Sequence, residues 1–330
     1  MTFLKRFLLT GALLGALPGA AQTSAAAPSF QTAQDIDAWK EKNRNWNRWG
    51  PEDQLGAVNL ITPAKRKEAA KLVREGVSVS LAHPLETQKA EDVPSPLGHR
   101  MLFTGESPES QYTADALSLE FHGFTHTHLD ALCHVFDHGK MYNGYPQSLV
   151  TAKGCAKLAV SALKDGILTR GVLIDIPALQ GVAYLEPGTP IHAKDLEAWE
   201  KKTKVRVSSG DAVIIRTGRW ARRAAVGPWD VSQHSAGLHA STADWFKKRG
   251  VALIATDVGL DVLPSGVKDD PFPTHVMVIN ALGISVLDNA DTEALVQAAA
   301  ERKRYDFLLS IAPLRVEGGT GSPVNPIATF

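Results

Sequence analysis

The chain has 330 residues, 44% of them hydrophobic and 21% charged, and its 35 basic residues balance 35 acidic ones. Nothing in such a balance suggests nucleic-acid binding or a polybasic membrane patch. Two cysteines are too few for a disulfide-framework fold or a paired-cysteine zinc finger.

Met1-Thr-Phe-Leu-Lys-Arg is followed by an apolar run over residues 7–17 and then by small residues. A short basic region, an apolar run too short to span a bilayer and small residues at a plausible cut describe a secretory signal peptide. Cleavage is expected between Ala20 and Ala27. Residues 1–27 are then signal peptide and leader, and 28–330 form a single domain, periplasmic or secreted, with no stable membrane insertion; a retained anchor is the alternative. Roughly 300 residues remain, enough for a substantial core.

Residues 22–34 are small and polar and read as a flexible lead. In Asn45-Trp-Asn-Arg-Trp-Gly-Pro, two tryptophans precede a Gly-Pro turn. They either close a pocket, meet a neighbouring subunit or pin the loop to its own core. Thr62 as a cap and Pro63 in the first turn start a helix over 64–75 that Gly76 ends. Residues 77–81 alternate like a strand, and 84–113, rich in proline and polar residues, read as a long loop of the kind that borders a site.

Leu117-Ser-Leu-Glu-Phe-His then has the period-two pattern of a half-buried strand. Carried forward, that register puts Leu117, Leu119, Phe121, Thr125, Thr127 and Leu129 on one face. His122, Phe124, His126, His128 and Asp130 fall on the other. Imidazole nitrogens and a carboxylate oxygen spaced i, i+2 along a strand can converge on one divalent ion; the alternative is a solvated strand face with incidental histidines. His134, beyond the strand's end, is a further ligand or a base beside the metal's water. Alternation turns Cys133 away from Asp130, so it reads as a buried thiol rather than a ligand or nucleophile; a bridge to Cys155 stays open.

Phe136-Asp-His-Gly-Lys-Met-Tyr-Asn-Gly-Tyr is a glycine-punctuated loop that contacts substrate or merely connects elements. Beyond it, apolar strands at 171–176, 210–218 and 251–257 alternate with helices over 195–202 and 241–248, the latter capped by Ser241. This alternation predicts an α/β fold, a mixed-strand sheet core flanked by helices. Asp257 and Asp261, around Gly259, either line the pocket or cap a turn, the turn being preferred; His234 and His239 receive no role. Gly318-Gly-Thr-Gly-Ser-Pro lacks the lysine and spacing of a phosphate loop and reads as a flexible turn. His275 opens an apolar segment, and Asp288 ends the strand after Gly283.

Thr127-His128-Leu129-Asp130-Ala131 with His134 resembles the core of the cyclase-type metal-dependent hydrolases, which include arylformamidase (kynurenine formamidase), isatin hydrolase and a dienelactone hydrolase. The usual pattern there is His-x-Gly-Thr-His-x-Asp-Ala-Pro-x-His. The tryptophan run and the 136–145 loop are similar to that family's longer branch, and Gly210-Asp-Ala-Val-Ile-Ile-Arg-Thr-Gly resembles the family's central strand.

The resemblance implies a swivelling β/β/α-like fold, a divalent ion (Mn2+ or Zn2+) on His128 and Asp130, and His134 as acid/base. His275 and Asp288 match the family's second cluster, a histidine and a glutamate, with Asp288 one methylene shorter. Phe124 stands at the family's first histidine, His126 at its glycine and Leu132 at its proline; His126 or His122 can substitute for the missing imidazole. The implied metal set is therefore His126, His128, Asp130, His275 and Asp288.

The implied reaction is hydrolysis of an amide, cyclic amide or imide, or lactone in a small aromatic or cyclic substrate by a metal-activated water. A homo-oligomer, dimer or tetramer, is implied as well. No Gly-x-Ser-x-Gly elbow of a serine hydrolase occurs. The alternative is a catalytically inactive periplasmic protein that binds a small molecule or metal on the same fold.

Overall fold

The apolar runs that read as strands become the centre of one nine-stranded sheet in the computed structural model, which describes residues 30–330. The expected signal segment lies outside the described residues. Numbered along the chain, the strands are β1 (Ser78–Ser80), β2 (His128–Asp130), β3 (Ile167–Asp175), β4 (Ala212–Arg216), β5 (Leu253–Thr256), β6 (Ser285–Asp288), β7 (Asp306–Ile311), β8 (Gly321–Pro323) and β9 (Ile327–Thr329). Their order across the sheet is β1-β9-β7-β3-β4-β5-β6-β2-β8. Strands β3 to β6 run parallel, and antiparallel pairs extend the sheet on both sides. The mixed-strand α/β expectation therefore holds.

Every residue of β4, β5 and β6 is buried, as continuous apolar runs are when both faces of a sheet are covered. On one face, helices Ala193–Thr203 and Thr242–Arg249 bring Leu196, Trp199, Trp245 and Phe246 against Ile174, Val213 and Ile254. On the other, helix Glu293–Arg302 packs Leu295 and Ala299 against Leu173, Ile214 and Leu287. Each large apolar side chain among these contributes about 1.5–3 kcal/mol by leaving water. The sheet is thereby a rigid platform for the strand ends. Among the described residues no helix is long and apolar enough to cross a membrane.

Four expectations are corrected. A helix, Ala33–Asn43, starts inside the supposed flexible lead, because Thr32 and Asp35 form a reciprocal capping box. The helix capped by Thr62 spans Pro63–Ala70 and stops short of residue 75. The chain end captures the segment beyond it: the Phe330 carbonyl accepts the N–H groups of Glu75 and Gly76, and Arg304 donates to the Leu72 carbonyl. The loop over 84–113 contains a strand, Gly98–Phe103, paired with Ala114–Ser118 in an exposed hairpin. Finally, the strand from 117 to 130 is broken. Leu117 is 63% exposed on that hairpin, the chain turns at Gly123 (φ 103°), and pairing resumes only at His128. The Asn289 amide holds the turn by donating to the carbonyls of Gly123 and His126.

The tryptophan loop is tied to its own core. Trp46 Nε1 donates to the Asn280 carbonyl and the Asn45 amide to that of Leu282.

Candidate metal centre

Sheet register builds the centre. β6 lies antiparallel to β2 with Asp288 directly opposite His128, and β8 lies antiparallel to β2 with Gly321 opposite Asp130. Directly opposed residues share a face. His128, Asp130 and Asp288 thus converge, with open space over Gly321. His122 fills that space: a Cβ at Gly321 would lie 2.9 Å from His122 Cε1 and 2.7 Å from the Leu129 carbonyl oxygen. Gly321→Ala is accordingly expected to lower stability by about 1–3 kcal/mol through overpacking. Urea denaturation would show it, and an unchanged midpoint would mean the site is looser than this contact implies.

His128 donates from Nδ1 to the His126 carbonyl at 2.8 Å, which leaves Nε2 with its lone pair facing Asp130 Oδ1 at 3.5 Å. His122 Nδ1 lies 3.0 Å from the same oxygen, and its Nε2 is 2.8 Å from Thr320 Oγ1. His134 follows a turn closed by its N–H on the Ala131 carbonyl; its Nε2 is 3.9 Å from Asp130 Oδ2, and its ring stacks on that of His122 at 4.1 Å and 3°.

His275 ends the short helix Pro273–His275, which continues into a π-helical turn, Val276–Ala281, a widening often found at functional sites. Asp261 accepts hydrogen bonds from the N–H groups of Thr274 and His275 and from the Nδ1–H of His275 at 2.6 Å. That contact aims His275 Nε2 at Asp288 Oδ2, 3.3 Å away.

Asp130 and Asp288 are buried, yet Oδ1 of each has no hydrogen-bond partner, and neither has His122 Nδ1. Ligand-type atoms of His122, Asp130 and His134, and of His128, Asp130 and Asp288, form two groups that share Asp130. Burial works to raise the Asp130 carboxyl, but the His122 contact and the surrounding imidazoles outweigh it and hold it well below the ordinary carboxylate range. Burial lowers the His134 imidazole, offset in part by Asp130. Burial also opposes the charge on His275, but Asp261 and Asp288 raise it well above the usual histidine value.

Of the expected residues, His128, Asp130, His134, His275 and Asp288 are brought together, and His126 is not. The break in the strand turns its ring away, and its Nε2 donates to the Ser95 carbonyl at 3.2 Å. Asp261 backs a site histidine as well as capping a helix, and Asp257 accepts four hydrogen bonds from Thr217, Gly218 and Arg219 beneath the next helix. The supposed flexible turn at 318–323 supplies β8 with Thr320 and Gly321; only its glycines hinted at a close approach. Cys133 is buried, and it is bonded to Cys155. A separate group, Asp37, Asp137 and His138, is bridged by Lys40, whose Nζ lies 2.8 and 2.6 Å from the two carboxylates and occupies the place of a cation.

Above the centre is a cavity of about 350 Å³ walled by Phe124, Val135, Phe136, Phe272 and Val276, with no lysine or arginine in its lining. Phe124 is seated on Gly259, where a Cβ would come within 2.5 Å of its ring. Phe136 is the part of the 136–145 loop that reaches the cavity. Tyr142 is instead buried against Asp53, and its hydroxyl is pushed far up, first by burial and then by that carboxylate.

Comparison with known proteins gives a consistent relationship. Residues 79–261 match the family model described as putative cyclase. An isatin hydrolase of Roseibium aggregatum is 27% identical over 151 residues, covering 43% of this chain and 53% of that protein, so the match spans about half of the relative's length. The crystal structure of a novel cyclase superimposes with a TM-score of 0.77 at 31% identity, covering 88% of this chain and 99% of the other. An isatin hydrolase bound to the product analogue thioisatinate shares the fold at a TM-score of 0.55 and 18% identity, covering 79% and 94% of the two chains.

Proposed function

This chain belongs to the putative cyclase family, and we propose that it is a metal-dependent hydrolase cleaving an amide, cyclic amide or imide, or lactone bond of a small aromatic or cyclic substrate. The observation that carries the reading is the pair of buried carboxylate oxygens, Asp130 Oδ1 and Asp288 Oδ1, left without donors among imidazoles. A buried, unsatisfied carboxylate is costly, and a cation removes the cost. The donor set of nitrogen and oxygen suits manganese or zinc.

His128, Asp130 and Asp288 would hold the ion. When bound, it supplies an activated water and polarises a substrate carbonyl. His134, whose side chain is one-third exposed at the rim, would take a proton and pass it to the leaving group. His275, oriented by Asp261, restrains the second oxygen of Asp288. The three phenylalanines exclude water and face the flat apolar part of the substrate, and a cavity lined by no lysine or arginine favours an uncharged one. The isatin hydrolase similarity supports the same bond class. Location in the periplasm or outside the cell is part of the proposal, supported by the sequence of residues 1–27 and by the disulfide.

Chelator-treated protein reloaded with manganese or zinc would be assayed on aryl formamides, isatin-like lactams and lactones. Turnover of one class, lost on chelation, is expected. Bound metal without turnover of any of them would sink the hydrolase reading and leave a binding protein.

A further inference from the structure

We infer that His122 is the metal ligand that replaces the imidazole missing at position 124, an inference that rests on the metal-dependent reading above. Two ligands about 2.1 Å from one ion stand roughly 3 to 3.4 Å apart. His122 Nδ1 and Asp130 Oδ1 are 3.0 Å apart, yet neither has a hydrogen-bond partner. Two polar atoms this close and not aligned as donor and acceptor are arranged to share a third partner.

The surroundings of His122 fix the ring for that task. Thr320 Oγ1, 2.8 Å from Nε2, can accept the Nε2 proton and so leave the lone pair on Nδ1, the nitrogen that faces Asp130. Gly321 gives the ring its room, and the parallel stack on His134 limits its rotation. Asp130, 1% exposed, presents its bare oxygen to the same point.

The substitution at 124 is the other half of one rearrangement. Phe124 lies over Gly259 as a wall of the cavity, so the position has passed from ligand to aromatic surface. His126, the other nearby imidazole, is committed to the Ser95 carbonyl. The turn at Gly123 folds the chain back so that His122, farther from Asp130 along the chain than position 124, comes to lie 3.0 Å from its Oδ1.

The test compares the wild-type chain with His122→Ala, His122→Gln and His126→Ala, each confirmed folded by circular dichroism. Titration calorimetry with Mn2+ and Zn2+ on chelator-treated protein gives affinity, and the visible absorption of the Co2+ form reports the ligand set. Both His122 variants are expected to bind at least tenfold more weakly with an altered cobalt spectrum, and His126→Ala to match wild type. Added imidazole should restore the cobalt spectrum of His122→Ala. Unchanged affinity and spectrum in the His122 variants would overturn the inference and leave the hydrolase reading intact. A wild-type chain that takes up none of the three metals would overturn both. Should His122→Ala misfold, His122→Gln, which keeps the side chain's bulk and a polar group for Thr320, decides the matter.

Discussion

Asp130→Asn is expected to bring bound manganese or zinc down to background, an affinity loss on the order of a hundredfold or more, while the fold survives. Asp130 belongs to both groups of converging ligand atoms, so its loss leaves each of them incomplete. Removing residues that merely orient ligands costs about 10–100-fold in metal affinity, and a ligand shared by the whole centre should cost at least the upper end of that range. Asparagine keeps the shape but removes the charge, and its amide places donors where imidazole lone pairs converge. Elemental analysis of chain purified without chelator or affinity tag, wild type beside variant, reads the result directly. Equal metal content in both would show that the ion sits elsewhere, and the mechanistic assignments built on this centre would fall with it.

The parts of the fold legible in the sequence were those where one pattern decides one element. Val213-Ile-Ile and Leu253-Ile-Ala, β-branched apolar runs bounded by glycine or polar residues, read as buried strands, and they form part of the parallel centre of the sheet. His128 and Asp130 were legible because alternation over so short a span survives any break upstream. The same alternation failed at His126, because nothing local announces that Gly123 turns the chain and that Asn289, from a distant strand end, locks the turn. Thr320 and Gly321 were illegible for a related reason. Gly321 pairs across strands with Asp130, far away in sequence, and a glycine-rich run looks like a loop until its partner is known. Asp261 sits behind His275 only once the helix at Pro273 folds back over it.

Loss of the Cys133–Cys155 bridge is expected to lower stability by about 3 kcal/mol, the value loop closure gives for a separation of 22 residues. Alanine at both positions is the variant of choice, since both side chains are buried and neither needs a polar partner. Urea denaturation of this double variant against the oxidised wild type measures the effect, and a loss below about 1 kcal/mol would mean that the surrounding backbone, not the bridge, holds the two segments together.

The backbone contacts predict a second, smaller consequence. Cys155 donates its N–H to the Gly318 carbonyl, Cys133 to that of Leu158, and Ala131 to that of Thr320. The bridge therefore ties the exit of β2, which carries His134, to the segment that presents Thr320 to His122. Without it both histidines are held less firmly, and metal affinity in the double variant should fall by a few-fold rather than vanish. Stability lost with affinity unchanged would confine the bridge to the fold. Loss of both would make the oxidation state of this one cysteine pair a condition for an intact centre.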